Sequence, residues 1–197
     1  MSSCRPAIFL DRDGVLNELV VDQDSGRPES PLALEDVALI DGATRAMRRF
    51  RDAGYLLVLA TNQPAAAKCT TTVGALESVH ERVLELLRAE GIEPDSSRMC
   101  LHHPEGHDPQ LARPCSCRKP EPGMLIDAAR ELGIDLARSW MIGDTDADIE
   151  AGERAGCRTA LVAYPGSSHK RLEAPRAEVR ARDLDAVAAI LLSKEGG

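Results

Sequence analysis

The chain has 197 residues, of which 32 are acidic and 24 basic, for a net charge of −8. That balance excludes general nucleic-acid binding, which needs basic surface, and an aromatic share of 3% excludes a base-stacking platform. No apolar run reaches membrane-spanning length, and Met1 to Pro6 lacks the charged-then-apolar pattern of a signal peptide, so the expectation is one cytoplasmic domain over residues 1–197 with no membrane partner.

Ala7-Ile8-Phe9-Leu10 is a short apolar run that predicts a buried strand. Residues 22–31, with Gly26, Pro28 and Pro31, predict a loop in which Asp22, Asp24, Ser25 and Gly26 make a solvated turn. Asp41-Gly42 opens a helical pattern through Ala46, Met47 and Phe50 that stops at Gly54. Tyr55 to Ala60 predicts a second buried strand, ending in Thr61-Asn62-Gln63. A long helix is expected from about Thr71 to Ala89, its apolar face marked by Val73, Leu76, Val79, Val83, Leu86 and Leu87 and its end by Gly91. His80 falls within it and reads as a surface residue, as does His169 in a late loop.

Residues 103–120, rich in His and Pro, read as loop, and Pro122 to Leu132 as a helix stopped at Gly133. Trp140 to Gly143 predicts a strand ending at Asp144, Asp148 to Ala155 a helix, Thr159 to Val162 a strand, and Leu184 to Leu192 a closing helix. Strands alternating with helices predict an α/β fold, a parallel sheet with helices on both faces. Sites in such sheets lie beyond the carboxyl ends of the strands, where Asp11, Thr61 and Asp144 all fall.

Cys100-x-His102 and, twelve residues on, Cys115-x-Cys117 offer three thiols and an imidazole in two tight pairs. Such a set closes a tetrahedral shell around zinc with no position left for water, which describes a structural Zn²⁺ site stapling the loop. His103 and His107 are substitutes for His102, whose one-residue separation from Cys100 mirrors the second pair. The other cysteines, Cys4, Cys69 and Cys157, are expected to be reduced, because a chain of this size in a reducing compartment does not need disulfides. Directly after the pair stand Arg118 and Lys119, a basic pair that the stapled loop can hold against an anionic substrate.

Residues i and i+2 of an extended segment point to the same side, so Asp11 and Asp13 can face one substrate together. Two close carboxylates rarely share a protonation state, which fits Asp11 as a nucleophile on phosphorus and Asp13 as the acid and base. Gly14 lets the backbone turn beside the phosphate. Asp144 offers hard oxygen ligands for Mg²⁺, and Thr61 and Lys119 supply a hydroxyl and an ammonium for the phosphoryl oxygens. Each motif alone has a plainer reading: Asp-x-Asp-Gly as a turn, Thr61-Asn62 as a strand end, Asp144 to Asp148 as a helix cap. An EF-hand is excluded because Ile149 and Ala155 stand where that loop needs glycine and glutamate, and no Walker-type P-loop is present.

In this order the motifs resemble the four signatures of the haloacid dehalogenase (HAD) superfamily of phosphatases: Asp11-x-Asp13-Gly14, Thr61-Asn62-Gln63, Lys119, and Gly143-Asp144-x-x-x-Asp148. Within it the zinc loop, Ile8 to Gly14, and Cys117-Arg118-Lys119-Pro120-x-Pro122-Gly123-Met124 are similar to the family of heptose-bisphosphate and histidinol-phosphate phosphatases. The resemblance, running from about Ala7 to Val162, implies a Rossmann-like fold without a large cap domain. It implies Mg²⁺ held by Asp11, Asp144 and the backbone carbonyl of Asp13, with Thr61 and Lys119 on the phosphoryl group. Asn62, Gln63 and Arg118 are the implied substrate-binding residues, Arg118 for a second phosphate. The implied partner is a small phosphorylated sugar or a related phosphate ester. Nothing in the sequence demands an oligomer, so a monomer is the expectation.

Pro64-Ala65-Ala66-Ala67-Lys68-Cys69 departs from the family pattern of a small residue, glycine and a closing arginine-glycine, and the loop after Asn17 is longer, through Asp24 and Arg27. Both segments are expected to border the substrate. Two other classes fit part of the pattern: a phospho-accepting receiver module, and a zinc-stapled scaffold without activity. The first would place the accepting Asp after a middle strand of the chain, and all four catalytic positions are filled against the second.

Overall fold

The computed structural model describes residues 4–23, 26–171 and 177–195, so Asp24 and Ser25 of the expected turn lie outside the described residues. Among the described residues six strands form one sheet in the order β5-β4-β1-β6-β7-β8, and every pairing is parallel. They are β1 (Ala7–Leu10), β4 (Leu56–Asn62), β5 (Ser96–Cys100), β6 (Trp140–Gly143), β7 (Arg158–Val162) and β8 (Val179–Ala181). The four inner strands carry nearly unbroken buried runs, as a sheet covered on both faces requires.

Helices α1 (Ala43–Asp52), α2 (Val73–Ala89) and α5 (Leu184–Glu195) cover one face. There Ile8, Leu10, Leu57, Leu59, Trp140 and Ile142 pack with Met47, Phe50, Val83, Leu87 and Val187. On the other face Phe9, Val58, Ala60 and Met141 meet Met124, Leu125 and Ala128 of α3 (Gly123–Leu132), and α4 (Asp146–Ala155) lies beside it. Gly152 of α4 sits so close that a Cβ there would fall 2.7 Å from Met141 Cβ and 2.8 Å from Thr159 Cγ2.

Residues 22–31 are not simply a loop: β2 (Val20–Val21) pairs antiparallel with β3 (Pro28–Glu29), Val20 opposite Glu29. The α4 helix starts at Asp146 rather than Asp148, because Thr145 and Asp148 close a capping box around its first turn. His80 is half-buried rather than on the surface, since it shares the α2 stripe of Leu76, Val83 and Leu87, four, three and seven residues away.

From β1 the chain crosses outward to β4 and β5, then returns to the other side of β1 for β6, β7 and β8. The strand order therefore reverses at β1, which opens a crevice beyond its carboxyl end. The register sets Leu10 beside Leu59 and Ile142, so the residue after β1 emerges level with the ends of β4 and β6.

Candidate active site

Asp11, the first residue past β1, is fixed by its own N–H, which donates to Ile142 O at 2.9 Å. Asp144 follows β6, and Asp148 sits in the first turn of α4. A carboxylate oxygen from each of Asp11, Asp144 and Asp148 lies within 4.8 Å of the others, and all three residues are buried. Two glycines permit this. A Cβ on Gly14, whose φ is +78°, would fall 2.1 Å from Asp144 Oδ2, and one on Gly143 would fall 2.1 Å from Asp148 Cβ.

Lys119 stands among the carboxylates. Its Nζ lies 2.9 Å from Asp11 Oδ1 and 2.6 Å from Asp148 Oδ1 and donates to Ala60 O at 2.6 Å. The Asn62 side chain holds the Lys119 backbone, donating to Lys119 O at 2.9 Å and accepting from Lys119 N at 3.1 Å. Asn62, the last residue of β4, thus has both polar ends of its side chain engaged by protein.

Asp13 turns its carboxylate another way. Its Oδ1 accepts from Arg12 Nε at 3.0 Å and Asn17 Nδ2 at 2.8 Å; its Oδ2 accepts from Arg12 Nη2 at 3.0 Å and Gln63 Nε2 at 2.6 Å. Gln63 Nε2 also donates to Thr61 Oγ1 at 2.9 Å, which ties Thr61 to the same cluster. The side chain of Asp13 is therefore apart from the three-carboxylate group, and only its backbone stays available to the Mg²⁺ position the sequence suggests.

The two acids are driven in opposite directions. Burial pushes Asp11 up to about 6, with the Lys119 ammonium opposing and the Asp148 and Asp13 charges adding to the rise. Burial would raise Asp13 as well, but the Arg12 guanidinium and the hydrogen bonds from Arg12, Asn17 and Gln63 hold it below the usual carboxylate range. Burial and the charges of Asp11 and Asp148 push Asp144 well up, and burial costs Lys119 less than the two aspartates return, so its ammonium is held charged.

Three buried carboxylates facing one ammonium are short of positive charge. The buried Asp144 Oδ1 has no hydrogen-bond partner, whereas Asp144 Oδ2 accepts from the buried Ser167 hydroxyl, a residue that no sequence motif marks. Hard oxygens, an excess of negative charge and an orphaned buried oxygen fit a divalent cation such as Mg²⁺. Asp148, which closes the fourth signature and also caps its own helix, belongs to this group by geometry.

Above the acids lies a cavity of about 310 Å³ lined by Asp11, Asp13, Asn62, Arg118, Lys119, Asp144 and Asp148, with Lys68, Lys170 and Glu29 also in its wall. Arg118 is tied to the loop behind it by Nη1 donating to His102 O at 3.3 Å. In that loop Cys117 Sγ lies 3.1 Å from Cys100 Sγ and 3.2 Å from Cys115 Sγ, and the Nδ1 of His102 lies 3.5 Å from Cys117 Sγ and 3.8 Å from Cys100 Sγ. With Zn–S bonds of about 2.3 Å, tetrahedral ligands sit a little under 4 Å apart, so the four fit one zinc ion. His102 provides Nδ1; His103 and His107 are not in the cluster. All six cysteines are free thiols, Cys4 and Cys69 exposed and Cys157 buried.

Residues 116–187 match the HAD-hydrolase-like family model. The chain is 38% identical over 161 residues, 82% of this chain and 81% of the relative, to D-glycero-beta-D-manno-heptose-1,7-bisphosphate 7-phosphatase of Photorhabdus laumondii. It is 36% identical to the protein of that name from Escherichia coli K12, over 84% of this chain and 83% of the relative. Among solved structures it is similar to the D,D-heptose 1,7-bisphosphate phosphatase of B. bronchiseptica complexed with magnesium and phosphate. That likeness has a TM-score of 0.78 and 32% identity over 96% of this chain and 99% of the other.

Proposed function

Because the chain belongs to the family of heptose-1,7-bisphosphate 7-phosphatases within the HAD-like hydrolases, we propose that it hydrolyses the 7-phosphate of D-glycero-D-manno-heptose 1,7-bisphosphate. The observation that carries the mechanism is Asp11 meeting Lys119, Asp144 and Asp148 on the floor of a cavity that Arg118 also lines. A receiver module and an inactive scaffold have no counterpart among these relatives.

An Asp11 carboxylate oxygen attacks phosphorus as the bond to the sugar oxygen breaks and its electron pair leaves with that oxygen. Asp13, which lines the cavity, protonates the departing oxygen. The arriving phosphate places negative charge beside Asp13 and lifts its affinity for a proton from solvent, reversing the resting preference set by its four hydrogen bonds. The ionised Asp13 then takes a proton from water as that water attacks the aspartyl-phosphate, releasing inorganic phosphate and regenerating Asp11. Lys119 orients Asp11 and balances charge on the phosphoryl oxygens, to which the Thr61 hydroxyl donates a hydrogen bond; the resting bonds of Lys119 to two aspartates keep it charged. Asp11, Asp144 and the Asp13 carbonyl, with Asp148 in the surrounding carboxylate cluster, would hold Mg²⁺, which when bound supplies charge for the anionic transition state.

Arg118 takes the second phosphate with its guanidinium fork, and Lys68 and Lys170 add charge on the same cavity wall. Asn62 and Gln63 act in substrate binding through what they hold, Lys119 and Asp13 respectively. The zinc shell of Cys100, His102, Cys115 and Cys117 braces the loop that carries Arg118 and Lys119. A cytoplasmic location completes the reading, supported by six cysteines without a disulfide; among the described residues no helix is long and apolar enough to cross a membrane.

Phosphate release from heptose 1,7-bisphosphate and histidinol phosphate, each with Mg²⁺ and with EDTA, tests the proposal. The expected result is Mg²⁺-dependent turnover with a higher kcat/KM for the heptose, abolished in Asp11→Asn. Preference for histidinol phosphate would overturn the substrate, and full activity of Asp11→Asn would overturn the nucleophile.

A further inference from the structure

Arg12 is wholly buried, at 0% exposure, between the two acidic residues of its motif. Its Nε and Nη2 fork onto the two oxygens of Asp13, both at 3.0 Å. The third nitrogen, Nη1, lies 3.5 Å from His80 Nδ1, and on the far side of that ring His80 Nε2 lies 2.6 Å from Ser97 Oγ. A guanidinium has no acceptor, so Nδ1 accepts from Arg12 and the ring proton sits on Nε2, donated to Ser97. Burial, and then the Arg12 charge, push His80 down to about 4, so the ring is a neutral acceptor at neutral pH.

This chain of contacts comes from outside the catalytic loop. His80 is on α2 and Ser97 on the edge strand β5, and neither lines the cavity. Position 80 lies on the α2 stripe of Leu76, Val83 and Leu87, and the histidine there aims its one acceptor at the nitrogen of Arg12 that Asp13 leaves free. When one oxygen of Asp13 takes up a proton, a donor on that side must let go. The other arm of the fork then keeps the carboxyl in place, provided the guanidinium itself cannot swing.

We propose that His80, backed by Ser97, is a positioning residue that locks Arg12 so that Arg12 can hold Asp13 where it protonates the leaving oxygen. The inference rests on the reading of Asp13 as general acid, and it makes the effect of His80 depend on the leaving group. A sugar alkoxide needs a proton to depart; p-nitrophenolate does not. Through kcat/KM, which reports the steps up to departure, loss of the lock slows the sugar ester and spares the aryl ester, while general damage to the fold slows both.

The experiment measures kcat/KM on heptose 1,7-bisphosphate and on p-nitrophenyl phosphate for wild type, Asp13→Asn, His80→Ala, His80→Gln and Ser97→Ala. In His80→Ala the sugar ester is expected to fall about ten- to hundredfold and the aryl ester less than about threefold, a fraction of what general acid catalysis contributes. Restoration is expected in His80→Gln, which keeps one acceptor and one donor, and Ser97→Ala should show a smaller loss of the same selectivity. Equal losses on both esters, or none on either, would overturn the proposal. Should His80→Ala not fold, the same comparison in His80→Gln and Ser97→Ala decides it: selective loss in Ser97→Ala with the sugar-ester rate kept in His80→Gln supports the lock, and any other pattern overturns it. If Asp13→Asn fails to separate the two esters, it is the acid role of Asp13 that falls, and selective loss in Asp13→Asn without any in His80→Ala removes His80 alone.

Discussion

Lys119 Nζ touches Asp11 at 2.9 Å and Asp148 at 2.6 Å, with the lysine side chain 2% exposed. Removing that ammonium leaves buried carboxylates facing each other. Lys119→Met is therefore expected to lower the unfolding free energy by about 3–5 kcal/mol without added metal, the usual consequence of breaking a buried ion pair, and to abolish turnover. Urea denaturation checks the first part, and a loss below about 1 kcal/mol would show that the pair is not balancing charge. Asp11 gives a pH signature. Its folded value, about 6, lies above the unfolded 3.8, so its contribution favours the folded chain below pH 3.8 and is lost as pH rises through 6. His80 runs the other way: lowered from 6.5 to about 4, it favours folding above pH 6.5 and loses that as pH falls toward 4. Comparing melts with and without Mg²⁺ at each pH cancels the histidine. Bound Mg²⁺ is expected to raise Tm more at pH 7 than at pH 5, where Asp11 holds a proton that the metal must displace. Equal gains at both would argue against Asp11 as part of the metal seat.

At the level of elements, the sequence exposed what burial on both faces demands and concealed what sheet edges tolerate. β1, β4, β6 and β7 stand out because sandwiched strands need continuous apolar residues, and their ends carry Asp11, Thr61 and Asp144. β5 reads Ser-Ser-Arg-Met-Cys and β8 only Val-Arg-Ala, edge strands whose pairing is set by the neighbour and not by their own composition. The β2–β3 hairpin is two residues wide and left no periodicity to read. The partners of the acids were hidden for two reasons: Arg12 and Asn17 reach Asp13 through the local turn after β1, which no spacing rule marks, and Ser167 reaches Asp144 only through tertiary packing. Ser167, on the 3-10 turn Pro165–Lys170 after β7, donates to Asp144 Oδ2 while Arg171 Nη1 donates to Asp144 O at 3.1 Å. Ser167→Ala is expected to weaken Mg²⁺ binding about tenfold, as loss of a partner behind a metal ligand does, and to leave zinc content unchanged. Titration of activity against Mg²⁺ together with calorimetry measures it, and an unaltered Mg²⁺ affinity would reduce Ser167 to packing.

Across the whole molecule the zinc loop bears on both sides of the cavity. Cys100 closes β5, and Cys115 and Cys117 lead into Arg118, whose Nη1 is tied back to His102 O at 3.3 Å. The far part of the loop rests on the segment before α2: His107 N and Asp108 N both donate to Ala67 O, at 2.6 and 3.0 Å. The approach at Gly106 is close enough that a Cβ would fall 2.6 Å from that same oxygen. Ala67 precedes Lys68, which lines the cavity, so one metal steadies two of the cations available to the remote phosphate. The three carboxylates and the lysine among them have separate anchors: Asp11 and Asp144 leave β1 and β6, Asp148 is capped with Thr145, and Lys119 is pinned by Asn62 and Ala60. Zinc removal should therefore loosen recognition before chemistry. The expected outcome is a lower Tm, a KM for heptose 1,7-bisphosphate raised about tenfold or more through lost charged contacts, and a kcat on p-nitrophenyl phosphate within about threefold of the zinc-loaded protein, all restored by added Zn²⁺. An equal collapse of kcat on the small ester would mean that the metal reaches the reaction through Lys119, and that Asn62 and Ala60 are not enough to hold it.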